Sequence, residues 1–154
     1  MKKTIEIALQ EYGITEHIGG RHNPRILQYF KDIGHQWIKD DSTAWCSAFA
    51  NWVMGKAGYP TSGKLNARSW LKVGNSTRLP ELGDIVVFWR ESKQSWKGHV
   101  GFFVAYSEDE KHIYVLGGNQ NNRVCVKAYP TYRLLGFRTF DTPPFRPIID
   151  LTAS

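Results

Sequence analysis

Hydrolysis of an amide by cysteine requires three groups: a thiolate that attacks, an imidazole that holds it and later protonates the leaving amine, and a polar group that orients the ring. The 154-residue chain has a candidate for the nucleophile in Cys46. It opens the apolar run Cys46-Ser47-Ala48-Phe49-Ala50-Asn51-Trp52-Val53-Met54, shortly after Asp40-Asp41-Ser42-Thr43, four side chains able to cap a helix. In the first turn of a capped helix a thiolate is favoured by the local dipole, and the exposed amides can also donate to the oxyanion of a tetrahedral intermediate. Alone, a cysteine in an apolar helix is more often a small core residue. The capping cluster is what favours the chemical role. Cys125 lies in an alternating strand beside Arg123 and Lys127, far from any helix start, and reads as structural.

Among the five histidines, His99 stands out because Gly98 precedes it and a strongly strand-forming run follows, so its side chain enters a strand where it can reach a helix end. His112 follows Glu108-Asp109-Glu110-Lys111 and reads as an exposed turn residue. His17, His22 and His35 share an irregular stretch without a nearby cysteine; they read as solvated or capping, and no structural zinc site is expected. For the third group the chain offers Asn119 in Gly117-Gly118-Asn119-Gln120-Asn121-Asn122. Turn chemistry alone accounts for such a cluster. An amide oxygen at Asn119 can accept the His99 ring N–H and fix its tautomer, and Gln120 or Asn121 does the same if the register differs by one or two.

These residues need elements to carry them. Ile5, Ala8, Leu9 and Tyr12 recur at helical spacing before Gly13, and Ile26, Leu27, Phe30 and Ile33 do so before Gly34. The run at 44–54 predicts a central, mostly buried helix, and 67–73 a short one. Strands are expected at 85–89, 99–106, 113–116, 123–127 and 134–138. Helices followed by strands define an α+β class, with one catalytic domain over 1–140. The segment 141–154 holds Pro143, Pro144 and Pro147 and is expected to form an extended tail.

Composition narrows the partners. A formal net charge of +6 favours approach to an anionic polymer. The basic residues are scattered and no aromatic-basic module repeats, so nucleic-acid binding is not expected. No apolar run approaches the roughly 18 residues of a membrane span, so stable membrane insertion is not expected either. Met1-Lys2-Lys3-Thr4-Ile5-Glu6 breaks the apolar run of a secretory leader, which predicts synthesis in the cytoplasm without a signal peptide. Two cysteines in dissimilar contexts argue against a disulfide.

Together, Asp41-Ser42-Thr43-Ala44-Trp45-Cys46-Ser47-Ala48-Phe49, Gly83-Asp84-Ile85-Val86-Val87-Phe88, Gly98-His99-Val100-Gly101-Phe102 and Gly117-Gly118-Asn119-Gln120 resemble the small CHAP-like cell-wall hydrolases of bacteria and phages, relatives of NlpC-type peptidases. Glu16-His17-Ile18-Gly19-Gly20, Ala67-Arg68-Ser69-Trp70-Leu71 and Leu134-Leu135-Gly136-Phe137-Arg138 extend the similarity over nearly the whole chain. Ala44 departs from the pattern where proline is expected. The resemblance implies a papain-like α+β fold with N-terminal helices, a central catalytic helix and an antiparallel sheet. It implies Cys46, His99 and Asn119 as catalytic residues, with Trp45, Asp41, Asn121 and Trp70 as substrate contacts. The implied activity is amide cleavage in peptidoglycan, at the muramoyl–L-alanine bond or in the stem peptide or cross-bridge, with no metal or organic cofactor required. Its settings are a phage endolysin released through a holin lesion, or an effector delivered by a secretion machine and matched by an immunity protein. A papain-like acyltransferase and a non-catalytic wall-binding module are the rival readings.

The dispersed positive charge predicts that encounter with intact walls weakens as salt rises, because exposed charges are screened beyond about 8 Å at physiological ionic strength. Turnover of a small soluble muropeptide should respond less. Equal salt dependence for walls and muropeptides, measured as initial rates, would show that surface charge does not steer the encounter.

Overall fold

The computed structural model describes residues 3–17, 21–41 and 44–141. Helix α1 spans Lys3–Gln10 and buries Thr4, Ile5 and Ala8. Helix α2, Pro24–Asp32, starts where the Asn23 side chain accepts the Arg25 N–H and Pro24 needs no acceptor for a backbone N–H. It buries Ile26, Tyr29 and Phe30, a stripe at helical spacing. Helix α3, Cys46–Lys56, has every residue from Cys46 to Met54 buried, so it has no polar face until its last turn. It packs against α2 and across the sheet strands that carry the site.

The sheet is six-stranded and antiparallel: β1 (Asn75–Thr77), β2 (Ile85–Trp89), β3 (Gly98–Tyr106), β4 (His112–Gln120), β5 (Arg123–Pro130) and β6 (Leu134–Thr139), in the order β1-β6-β2-β3-β4-β5. This confirms the α+β class. The edge strand β1 was not expected from sequence; three polar residues carry no alternating pattern, and β6 alone pairs with it. A 3-10 helix, Ala67–Lys72, occupies the place of the fourth short helix. Both faces of the sheet centre are covered. Ile85, Val87, Val100 and Phe102 join the helical core, while Val86, Phe88, Phe103, Ile113, Val115 and Phe137 form a second cluster.

Two features bring the β4–β5 hairpin under α3. Asn121 and Asn122 both have left-handed backbones, with φ of 51° and 61°, forming the two-residue turn that suits the twist of paired strands. Gln120 and Arg123 then face each other across the first rung. Before the turn, Gly118 lets the helix close on the strand: a Cβ there would stand 2.7 Å from the Trp45 ring and 2.8 Å from Phe49 Cβ. The N-terminal segment pins the hairpin from outside, with Gly13 N–H on Val124 O (2.9 Å), Val124 N–H on Ile14 O (2.8 Å) and Glu16 N–H on Asn122 O (2.9 Å).

The capping expectation is corrected for Asp41. The N-cap of α3 is Trp45, whose side chain makes no capping hydrogen bond. Asp41 is committed elsewhere, accepting the backbone N–H groups of His17 (2.9 Å) and Asn23 (2.8 Å) and so tying the entrance of α2 to the approach of α3. Ser42 and Thr43 lie outside the described residues, as does the expected tail beyond Asp141. Both cysteines are free. Among the described residues, no helix is long and apolar enough to cross a membrane.

Gly118→Ala should lower stability by about 1–3 kcal/mol, the usual cost of overpacking a core whose neighbours are rigid rings and helix atoms. Thermal unfolding followed by circular dichroism reads it; an unchanged midpoint would mean α3 and β4 are not in tight contact.

Candidate active site

The Trp45 side chain makes no capping bond to the first turn of α3. Phe49 N–H is the first to close within the helix, on Trp45 O at 2.9 Å, leaving those of Cys46, Ser47 and Ala48 without an intrahelical acceptor. The backbone N–H groups of Ser47 and of Val100 on β3 reach the Cys46 sulfur. Val100 follows His99 directly, so the strand that touches the sulfur also carries the imidazole. Both side chains are almost enclosed, at 6% exposure for Cys46 and 5% for His99.

The ring is held at Nε2. Gln120 Oε1 lies 2.8 Å from it, and Gln120 Nε2 donates to the carbonyls of Val115 (3.0 Å) and Cys125 (2.6 Å). Those two acceptors fix the orientation of the amide, so its oxygen faces the ring and must accept. His99 therefore carries its proton on Nε2, and Nδ1 is left as the base. The space for this amide exists because Gly117 has no side chain: a Cβ there would stand 2.6 Å from Gln120 Oε1.

Gln120, not Asn119, thus occupies the third place, which corrects the expectation for Asn119. The cause is local. Asn119 has a left-handed φ of 58°, and the β4–β5 register shifts between Gly117 and Gln120, so the alternation slips by one residue just before the turn. The sequence held the signal in the Asn121-Asn122 turn, which forces Gln120 to pair with Arg123. Sequence reasoning missed Tyr129 altogether. Its ring stacks on His99, with centroids 4.7 Å apart and planes at 20°, and its hydroxyl lies 3.1 Å from His99 Nε2. Strand β5 runs to Pro130 rather than ending at Lys127, and the alternation from Cys125 through Lys127 continues to Tyr129.

Burial governs the electrostatics. It is the main reason the His99 pKa falls from 6.5 to about 4; the Gln120 hydrogen bond opposes the shift, and the cationic Arg90 and Lys127 add to it. Burial also pushes the Cys46 thiol up, more than the Val100 and Ser47 N–H groups and the charge of Arg90 pull it down. A preformed thiolate was expected; burial instead favours the thiol form of Cys46 and the neutral form of His99.

Three expected substrate contacts turn out to be supports. Trp45 and Trp70 are fully buried, with Trp45 Nε1 donating to Glu16 Oε1 (2.8 Å) and Trp70 Nε1 to Ser47 Oγ (3.1 Å), so neither ring can meet a polymer. Asp41 is also buried, its carboxylate spent on the α2 entrance. Asn121 is exposed at the hairpin turn. Among the described residues, His22, Asp40 and Asp41 form the one group with potential metal-ligand atoms mutually within 4.8 Å, and the backbone contacts of Asp41 already explain its geometry.

A cysteine at a helix start, with its sulfur against the strand that carries a buried imidazole whose tautomer an amide fixes, is the equipment of a cysteine, histidine-dependent amidohydrolase. A family model of the CHAP domain matches residues 38–119, and the chain belongs to that family of cell-wall hydrolases, whose members act on peptidoglycan as amidases or peptidases. The matched segment contains Cys46 and His99 and stops one residue before Gln120. No curated protein sequence matches the chain.

Gln120→Ala should lower kcat by about a hundredfold with KM little changed, since a misdirected ring raises the barrier without removing wall contacts. Asn119→Ala should change kcat far less. With His99 neutral down to a pKa of about 4, wild-type activity should persist below pH 6 and fall as pH approaches that value. Initial rates across pH decide it: an acid limb at the ordinary imidazole value would contradict the buried, neutral ring.

Proposed function

We propose that this protein hydrolyses an amide bond of peptidoglycan through a Cys46 acyl-enzyme. The observation that carries the reading is the placement of the Cys46 sulfur between the first turn of α3 and the Val100 N–H, on the strand that carries His99, whose Nε2 is turned to Gln120 and whose Nδ1 is thereby left as the base. As the sulfur attacks the carbonyl carbon, His99 Nδ1 takes the thiol proton, and the first-turn N–H groups of α3 donate to the oxygen on which negative charge grows. His99 then gives that proton to the departing amine, leaving a thioester. In the second half His99 removes a proton from water, the hydroxide attacks the thioester, and the thiol is restored as the carboxylic acid leaves.

A helix-borne cysteine facing a sheet-borne histidine supports a papain-like relationship. The substrate bond in this proposal is the muramoyl–L-alanine amide or a peptide bond of the stem or cross-bridge. The setting is either a phage endolysin or a delivered antibacterial effector with its immunity protein. A holin gene beside the coding sequence identifies the first, and an immunity gene the second.

Cys46→Ala and His99→Ala should each abolish hydrolysis of purified sacculi while keeping a cooperative thermal transition. Cys125→Ser should keep most activity, because serine retains the donor that Cys125 Sγ offers to Gln120 O at 3.3 Å. Mass spectrometry of the digested muropeptides reads both the loss and the bond cut. Substantial turnover by purified Cys46→Ala protein would end the thiol mechanism.

A further inference from the structure

His99 Nε2 has two oxygen neighbours, not one: Gln120 Oε1 at 2.8 Å and the Tyr129 hydroxyl at 3.1 Å. Because that nitrogen carries a proton directed at Gln120, the phenol oxygen can only share it as a second acceptor. The phenol ring also lies nearly parallel to the imidazole, and Phe88 stacks on the phenol at 5.0 Å and 22°. A ring held this way has little freedom to tilt.

The charges around the imidazole make this contact matter. When Cys46 gives up its proton, His99 becomes a cation inside the protein. Arg90, just after β2, and Lys127, on β5, act on it and are both positive. Arg68, in the 3-10 helix near Gly98, has its guanidinium committed to the carbonyls of Ser92, Lys93 and Lys97. From β4 comes only the neutral Gln120, and from α3 the sulfur itself. Among the described residues no carboxylate contributes to the setting of the ring. Burial, and the negative charge that Cys46 acquires, hold the phenol of Tyr129 neutral throughout. Besides the negative charge that leaves Cys46, the cation is stabilised by oxygen lone pairs and the electron-rich face of an aromatic ring.

We propose that Tyr129 is a positioning residue for His99, fixing the plane of the imidazole with its ring and supporting the imidazolium with its ring face and hydroxyl. This rests on the hydrolase reading above for its catalytic consequence. Tyr129 lies outside the segment that the CHAP family model matches, which ends at residue 119.

The test uses the full chain with Tyr129→Phe and Tyr129→Leu. Sacculus hydrolysis gives kcat and KM, and NMR titration of the His99 ring follows its protonation without any substrate. The Leu protein should lose on the order of tenfold in kcat with KM unchanged, and its His99 should titrate at lower pH than in wild type. The Phe protein keeps the ring and loses the second acceptor, so it should fall between the two in both measurements. Wild-type kcat and wild-type titration in both variants would overturn the proposal, and so would a loss confined to KM. Should the Leu protein not fold, the Phe protein decides: a lowered kcat with a lowered titration supports the role, and wild-type values for both overturn it. Failure of the wild type to cut any peptidoglycan would sink the hydrolase reading instead, while the His99 titration would still report on Tyr129.

Discussion

The Gln120 amide can point its oxygen in only one direction, because its nitrogen is committed to the carbonyls of Val115 and Cys125. Everything the site can do follows from that constraint. An amide free to flip would offer His99 a donor as readily as an acceptor, and the imidazole would carry its proton on either nitrogen. With the oxygen fixed, Nε2 keeps the proton and Nδ1 becomes the base. The fixing groups belong to two strands of one hairpin, so the geometry of a backbone turn is translated into the protonation state of a side chain. The cysteine on the far strand shares in this, since its carbonyl holds the amide nitrogen and its thiol donates to the Gln120 backbone oxygen.

The hairpin in turn is held by parts of the chain outside the CHAP-matched segment. The strip from Gly13 to Glu16 pairs with the start of β5, and Glu16 also receives the Trp45 indole N–H next to the nucleophile. Tyr29 packs against Trp45 and donates to Glu11, whose carboxylate also takes the Arg25 guanidinium. Burial alone would push Glu11 up; its bonds to Arg25 and Tyr29 outweigh that and hold it below the usual carboxylate range. The result is a charged, fully bonded wedge between α1 and α2 that sets where Trp45, and so Cys46, can sit.

The main elements were legible because their periodicity is strong. The stripes of α1 and α2, the apolar run of α3 and the strands through 85–89 and 99–106 each reflect one dominant force, the burial of a face. Cys46 and His99 were legible for a related reason: each begins an element, and element ends are where side chains of different layers meet. Asn119 was misassigned because the residue that points at the ring depends on a register slip and one left-handed backbone, which alternation does not encode. Trp45, Asp41 and Trp70 were misread because aromatic and acidic residues beside a nucleophile look the same in sequence whether they face substrate or support the site from behind. Only burial separates the two. Tyr129 was invisible until β5 was long enough to carry it onto the same face as Cys125.

The enclosed thiol–imidazole pair changes what substrate binding must accomplish. A preformed thiolate in an open cleft is reactive toward oxidants and electrophiles at all times, whereas a buried thiol next to a neutral imidazole reacts only when proton transfer becomes favourable. In the proposed reaction the arriving carbonyl supplies that condition, because the charge leaving the sulfur comes to rest on an oxygen placed among the first-turn amides of α3. In that reaction the imidazolium is answered by an anion a few atoms away, even though among the described residues no carboxylate acts on the ring. On this account a neutral glutamine is sufficient as the third residue: its task is to choose the tautomer before the reaction, and the charge it would otherwise have to balance exists only while the oxyanion does.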